Sequence, residues 1–415
     1  MTHRTTPAAA LLAALLATTT SPARAQICDP SPIDAAVNQL LADFPDLLDG
    51  ACLLVGDRDG LLYEGYFGSY GPRSVIPLAS ASKLVSAVGV MTLVDSGAID
   101  PNLPIIAYLP DMFSIDRAGI IKPFMTVDEM YSMTCGLAGD ASDPILSDHG
   151  ITLEQASDLI ATTVVPAAFP STEINYTGLG MEVTGYLCEL VSGQPFDEFY
   201  ADAVSVPLNT PSIDWFGLGP TLNFRPSGAG ECNARDYGRI LRMLLRGGEL
   251  DGVRLLSPEA VASMEEVERT VGLPYGDVPA DAETYGWGYA FGMWVEDRDD
   301  QGQPTVLTSP GAFGTTPWID VEDGYWGILM VEGLGTLVRP DFFEIRDAIE
   351  AQIIHPGCRP CLADFNHDGR LDLGDIVRFS YFGQNADPRA DLNADTIFDL
   401  RDISVFIDQF TSGCD

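Results

Sequence analysis

"PLASASKLVSAVGVMTLVDSG", residues 77–97, is the stretch on which the rest of the chain turns. Its Lys83 is one of two lysines in 415 residues, the other being Lys122, whereas arginine occurs twenty times. Ser80 stands three positions earlier. A helix beginning near Ser80 puts residues i and i+3 on one face, which sets the Lys83 amine beside the Ser80 hydroxyl. Leu84, Val85, Val88, Met91, Leu93 and Val94 make that helix apolar nearly all round, so it is expected in the interior. Burial disfavours a charged amine and lowers its pKa, leaving a neutral nitrogen able to take a proton from a neighbouring serine. The structural alternative is that Lys83 only pairs with a carboxylate.

The remaining composition narrows the chemistry. Of four histidines, His3 falls in an N-terminal export signal, His355 in a linker and His367 in an acidic loop, which leaves His149. No G-x-S-x-G elbow occurs, so a serine nucleophile here calls for a base other than imidazole. Sixty acidic against 22 basic residues give a formal charge of −38, which would repel nucleic acid and anionic membrane surfaces over most of the surface, so no nucleic-acid partner is expected. Residues 1–25 carry His3 and Arg4, the apolar run "AAALLAALLA" (8–17) and Ala23-Arg24-Ala25, the pattern of a secretory signal cleaved before Gln26. No later run is long enough to span a bilayer, so an exported protein without a transmembrane segment is expected. Eight cysteines (28, 52, 135, 188, 232, 358, 361, 414) suit an oxidising compartment. Cys361 with Cys414 is the most economical pairing, although sequence does not fix pairings.

A composition shift sets off the C-terminus. "HPGCRPC" (355–361) reads as a linker. After it, "DFNHDGRLDLGD" (364–375) and "DLNADTIFDLRD" (391–402) repeat at an offset of 27 residues, each followed by an apolar helical stretch. Oxygen donors at loop positions 1, 3, 5 and 12, with a backbone carbonyl at 7, are what a seven-coordinate hard cation needs. The first loop offers Asp364, Asn366, Asp368, the Arg370 carbonyl and Asp375, with Asp372 at position 9 and Gly369 at the turn. The second offers Asp391, Asn393, Asp395, the Ile397 carbonyl and Asp402, with Thr396 in place of the glycine. Asp at position 12 and the paired short helices resemble the type I dockerin repeat, a small paired EF-hand-like module. That resemblance implies structural Ca²⁺ and a cohesin-like or cell-surface partner.

The larger part of the chain resembles the serine β-lactamase-related family, which includes class C β-lactamases, D-alanyl-D-alanine carboxypeptidases and related esterases. The resemblance runs over about residues 33–352, on residues 77–97, "MTVDEMYSMTCGLAGD" (125–140), "FPSTEINYTGLGMEVTGYLCELVSGQPFDEFY" (169–200), residues 234–264 and "SPGAFGTTPWID" (309–320). It implies Ser80 as nucleophile, Lys83 as its partner and Tyr176 at the family's tyrosine position. The backbone N–H groups of Ser80 and Ala312 would form an oxyanion hole, and Gly178, Ser309 and Gly311 would meet the substrate. Two positions depart from the family pattern. Gly178 stands where Asn is common, and Ser309-Pro310-Gly311 replaces Lys-Thr-Gly or His-x-Gly. The first change removes an amide and the second a cation, which favours ester cleavage over β-lactamase or carboxypeptidase activity.

The expected fold is therefore α/β of the α+β type: an antiparallel sheet flanked by helices, a helical second lobe between about residues 95 and 240, and a small α-helical tail. The expected divisions are a signal peptide (1–25), a hydrolase domain (26–354), a linker (355–361) and a calcium-binding tail (362–415). The leading function is an exported serine hydrolase acting on a small ester or amide, with no catalytic cofactor. Two others stay open: a catalytically degenerate binding or structural protein, and a surface assembly protein whose main function is the tail.

Overall fold

Burial is continuous along Gly50–Asp57, with only Asp57 partly exposed, as befits a strand covered on both faces. The computed structural model describes residues 28–139, 143–355, 361–365, 370–393 and 395–412; the expected signal peptide lies outside them. Strands β1 (Gly50–Asp57) and β2 (Leu61–Gly68) form a hairpin. Near the other end of the large domain come β3 (Gly288–Tyr289), β4 (Trp294–Arg298), β5 (Pro304–Thr308), β6 (Gly314–Asp320) and β7 (Tyr325–Glu332). They make one sheet in the order β2-β1-β7-β6-β5-β4-β3. Every pairing in it is antiparallel, with Cys52 of β1 opposite Met330 of β7.

The helices used below are α1 (Ser31–Asp43), α2 (Ser82–Asp95), α3 (Leu153–Thr163), α4 (Leu179–Ser192), α5 (Ala234–Leu245), α6 (Gly335–Ile349), α7 (Leu373–Gln384) and α8 (Leu400–Ser412). Successive strand residues point to opposite faces. Ala51, Leu53 and Val55 pack with Ile33, Val37 and Leu40 of α1 and Val338, Phe342 and Ile345 of α6. Cys52 and Leu54 join the larger core on the other face, which holds α2 and the helical lobe. The sheet is thus covered on both sides, as the sequence predicts for a mixed α/β fold.

A 3₁₀ turn, Ala79–Ala81, leads into α2. Every residue of α2 from Ser82 to Met91 is buried, while Leu93 and Val94 of its last turn are only partly covered. The other lysine has a structural task. Lys122 is buried, and its Nζ donates to the carbonyls of Ile160 (2.9 Å) and Val164 (2.6 Å), where α3 leaves its last acceptors unpaired.

The repeat of the tail is visible as repeated hydrogen bonds. Phe365 N–H donates to Asp375 Oδ1 and Leu392 N–H to Asp402 Oδ1, both at 2.9 Å. Asp372 N–H and Asp399 N–H reach the second oxygens of the same carboxylates at 3.0 and 2.8 Å. Phe379 and Phe406, related by the same offset, stack with centroids 4.2 Å apart. Thr396 takes the left-handed conformation (φ 71°) that the turn position requires.

The fit to a cation is less complete than the spacing predicts. Asn366 and Asp368 lie outside the described residues. Asp372 caps α7, accepting from Gly374 N–H, and the Ile397 side chain is exposed. In the second loop Asp391 accepts from the N–H groups of Asp395 and Thr396, and Asp395 Oδ2 faces Asn393 and Arg401. The donors are of the right kind, but among the described residues no three acidic, histidine or cysteine side chains converge on one point that could hold a metal. The carboxylates are turned instead to the loop's own N–H groups and to nearby arginines.

The tail packs against the large domain. Arg235 of α5 grips Glu64 of β2 through two bonds of 2.6 Å and reaches Asp391 Oδ2 at 3.3 Å. Arg73 donates to the Ala386 carbonyl, and Asn209 to Thr396. Cys28 and Cys361 each take part in a disulfide, whereas Cys52, Cys135, Cys188 and Cys232 are free and buried. Cys414, the expected partner of Cys361, lies outside the described residues. No helix among the described residues is long and apolar enough to cross a membrane.

Candidate active site

A cleft of about 550 Å³ opens where the sheet meets the helical lobe. Ser80, Lys83, Tyr176, Gly178, Gly311 and Ala312 all line it, though they come from three separate stretches of chain. The start of α2 puts Lys83 Nζ 2.9 Å from Ser80 Oγ and 2.8 Å from the Ser227 carbonyl. Burial pushes the Lys83 amine down to about 7; repulsion from Arg225 adds to this and attraction to Glu182 opposes it. Lys83 Nζ also sits over the Tyr176 ring, 4.6 Å from its centroid.

Tyr176 is held from two directions. Its N–H donates to the Asp277 carbonyl at 2.7 Å, and its ring stacks on Trp294 of β4 with centroids 5.0 Å apart. Burial pushes its phenol up to about 12, while hydrogen bonds from Ser80 and Trp294 restrain the rise. Lys83, Ser80 and Tyr176 therefore form one connected polar line at the cleft floor.

The turn between β5 and β6 closes against the serine. Ser309 Oγ donates to the Ser80 carbonyl at 3.2 Å, and Gly311 N–H to the Thr315 carbonyl at 2.7 Å. A Cβ on Gly311 would lie 2.2 Å from the Leu78 carbonyl oxygen, so only glycine fits there. Among the described residues, neither the Ser80 nor the Ala312 N–H donates to a backbone carbonyl. Two donors at the rim of one cleft are the arrangement that stabilises a developing oxyanion.

The β-lactamase family model matches residues 37–349. The chain belongs to the β-lactamase family. Protein Rv1367c of Mycobacterium tuberculosis is 24% identical over 342 residues, covering 68% of this chain and 82% of that one. The 6-aminohexanoate-dimer hydrolase of Paenarthrobacter ureafaciens is 26% identical over 252 residues, covering 56% and 62%. The solved structure of EstCE1, a hydrolase with promiscuous acyltransferase activity, superposes with a TM-score of 0.63 at 19% identity over 77% of this chain and 98% of that one. That last likeness is one of fold.

Within this β-lactamase-family site, two expectations need correction. Ser309 does not face the cleft: it is buried and braces the backbone of Ser80. Nor does the cleft lack cations, because Arg225 and Arg339 both line it. Arg339 is paired with Asp281 at 3.4 Å and donates to Thr316. The absent asparagine also has a structural counterpart. A Cβ on Gly178 would meet Ser227 Oγ at 2.3 Å, so the Ser227 side chain fills the space that a larger residue would take.

The sequence reading missed Glu182, Arg225, Ser227, Trp294 and the Asp281–Arg339 pair. Only Glu182 left a local signal, an acid inside the apolar run "LGMEVTGYLCELV". The others are brought in by tertiary contacts with no shared spacing.

Proposed function

We propose that this chain is an exported serine hydrolase that cleaves small carboxylic esters, or related amides, through an acyl-enzyme on Ser80. The observation that carries this reading is the 2.9 Å bond from the buried, pKa-depressed Lys83 to Ser80 Oγ at the floor of an open cleft. Two titratable groups whose environments push them apart divide acid from base work. Lys83, near 7, takes the Ser80 proton as Oγ attacks the carbonyl carbon. Tyr176, near 12, stays protonated at neutral pH and gives its proton to the leaving oxygen or nitrogen as the C–O or C–N bond breaks. The Lys83 proton returns to Tyr176 along the same line. Water then attacks the acyl-enzyme, giving a proton to the same base, and releases the acid and the free Ser80 hydroxyl.

Ester preference is supported by the charge arrangement. Arg339 already has Asp281 as counterion, and Arg225 interacts with Glu182, so neither offers a substrate carboxylate an uncompensated charge. The tail is proposed as a calcium-binding dockerin-like module with an assembly role, on the register of its two loops and their matched hydrogen bonds. The experiment is a parallel assay of a short-chain chromogenic ester and a chromogenic cephalosporin. Ser80→Ala is expected to abolish turnover of both with the fold kept, and the ester is expected to have the higher kcat/KM. Ester hydrolysis persisting in Ser80→Ala removes the nucleophile; cephalosporin preference removes the ester reading.

A further inference from the structure

One face of α4 carries an acid that the reaction does not use directly. Gly178, which precedes the helix, Glu182 and Gly185 fall at i, i+4 and i+7, so they share one face. The two glycines mark what that face packs against. A Cβ on Gly178 would lie 2.3 Å from Ser227 Oγ, and one on Gly185 would lie 2.7 Å from Pro226 Cγ. Glu182, between them, faces the same Arg225–Ser227 segment. Its side chain is wholly buried, and neither carboxylate oxygen makes a well-formed hydrogen bond among the described residues, the Asn223 amide supplying only a loose one.

The segment opposite supplies the complementary charge. Arg225 is held at a strained φ of 21°, with its Nε buried and unbonded among the described residues. Its side chain reaches the cleft beside Lys83, and two residues on, the Ser227 carbonyl accepts from Lys83 Nζ. A carboxylate buried without hydrogen bonds is costly unless a nearby charge compensates it. Here the available charges are Arg225 and Lys83.

We propose that Glu182 and Arg225 form a buried charge pair behind Lys83 that sets its protonation and fixes its place, a task for which Gly178 leaves no side-chain amide. Both are positioning residues. This inference rests on the reading of Lys83 as the base.

The two charges act in opposite senses: Arg225 lowers the Lys83 pKa and Glu182 raises it. Burial pushes Glu182 itself up to about 7, opposed by Arg225, Asn223 and Lys83, so the charge states of Lys83 and Glu182 depend on one another. The other groups around them leave this balance intact. Tyr176 and Ser80 lie on the cleft side; Tyr131, its hydroxyl bonded to Ser86, stays protonated on the core side, as does the buried Cys188 thiol of α4. Across the cleft, Asp281 and Arg339 neutralise each other.

The chain's composition provides the test. With [¹³Cε]lysine incorporated, only Lys83 and Lys122 report, and Lys122, capping α3, serves as the internal reference. Glu182→Gln should move the Lys83 titration midpoint down and Arg225→Gln should move it up, each by on the order of one pH unit, with Lys122 unmoved. Arg225→Lys, which keeps the charge, should bring the midpoint back toward the native value. If Glu182→Gln fails to fold, the Arg225→Gln and Arg225→Lys pair still reads the sign. Midpoints that stay put, or that move the same way in both neutral variants, overturn the proposal. The acid limb of kcat/KM should follow the midpoint. If the midpoint moves and the limb does not, the charge pair stands and the assignment of Lys83 as base falls.

Discussion

Gly311→Ala tests the oxyanion hole without touching a side chain that reacts. The added Cβ would sit 2.2 Å from the Leu78 carbonyl oxygen and 3.4 Å from that of Thr315. The Leu78 carbonyl cannot retreat freely, because it accepts the Ala81 N–H at 3.0 Å and so closes the 3₁₀ turn that holds Ser80. The β5–β6 turn must therefore withdraw by roughly 1 Å, carrying the Ala312 N–H with it; a misplacement of that size can cost about 10²-fold in rate. Outright loss of one oxyanion donor costs about 10²–10³ in kcat, or about 2.7–4 kcal/mol. Steady-state hydrolysis of a chromogenic ester should show kcat reduced by about that range, with KM changed far less. Circular dichroism should match the native protein, and Gly60→Ala, where an added Cβ meets nothing within 4 Å, serves as control. A Gly311→Ala enzyme with kcat within roughly threefold of the native value would refute the placement of the hole at Ala312.

Three further outcomes follow from the same geometry. Lys83 must be neutral to accept a proton, so kcat/KM for an ester should rise with pH through an acid limb near 7, and a limb near 4 to 5 would implicate a carboxylate base instead. Glu265 is buried, and burial pushes its carboxyl up to about 8, so the folded state keeps a proton that the unfolded chain releases above its ordinary value of 4.5. The stability from that proton is full below 4.5 and falls as pH rises toward 8, by up to about 1.4 kcal/mol per pH unit. Glu265→Gln should escape this decline, and melting curves of the two proteins that stay parallel from pH 5 to pH 8 would count against it. Calcium should slow tryptic cleavage of the full chain at Arg378 and Arg401, and chelation should restore it while the esterase rate holds; a digestion pattern indifferent to calcium would remove the metal from the tail.

What the sequence made legible was local. The S-x-x-K spacing survives as a 2.9 Å contact because helix geometry fixes i and i+3 neighbours whatever surrounds them. The tail repeat reappears as matched bonds to Asp375 and Asp402, set within each loop. Pairings made across the fold were hidden: Arg339 finds Asp281 from 58 positions away, and Arg235 finds Asp391 from 156. Ser309 shows the limit most directly. Its position was readable, but whether its hydroxyl turned to substrate or to the Ser80 carbonyl depended on how tightly the β5–β6 turn closes, which no spacing encodes. In the second loop, Arg235 reaches from outside to a carboxylate that the loop pattern assigns to a cation, a contact no spacing encodes.

The grip of Arg235 on both Glu64 and Asp391 bears on how the molecule behaves in company. β2 is the outermost strand on its side of the sheet, and residues Leu62–Phe67 line a groove with Leu362, Phe365, Phe382 and Leu392 of the tail. An uncovered sheet edge is a template on which another chain can add a strand. A tail held beside that edge would shield the large domain from its own copies as well as extending it. A chain ending at Ile354 should self-associate more readily than the full-length protein, which light scattering over a concentration series would show, and Arg235→Ala in the full chain should go part of the way. Anything that captured the tail would also inherit a fixed bearing of the cleft, so the catalytic mouth would face a set direction rather than swing on a tether.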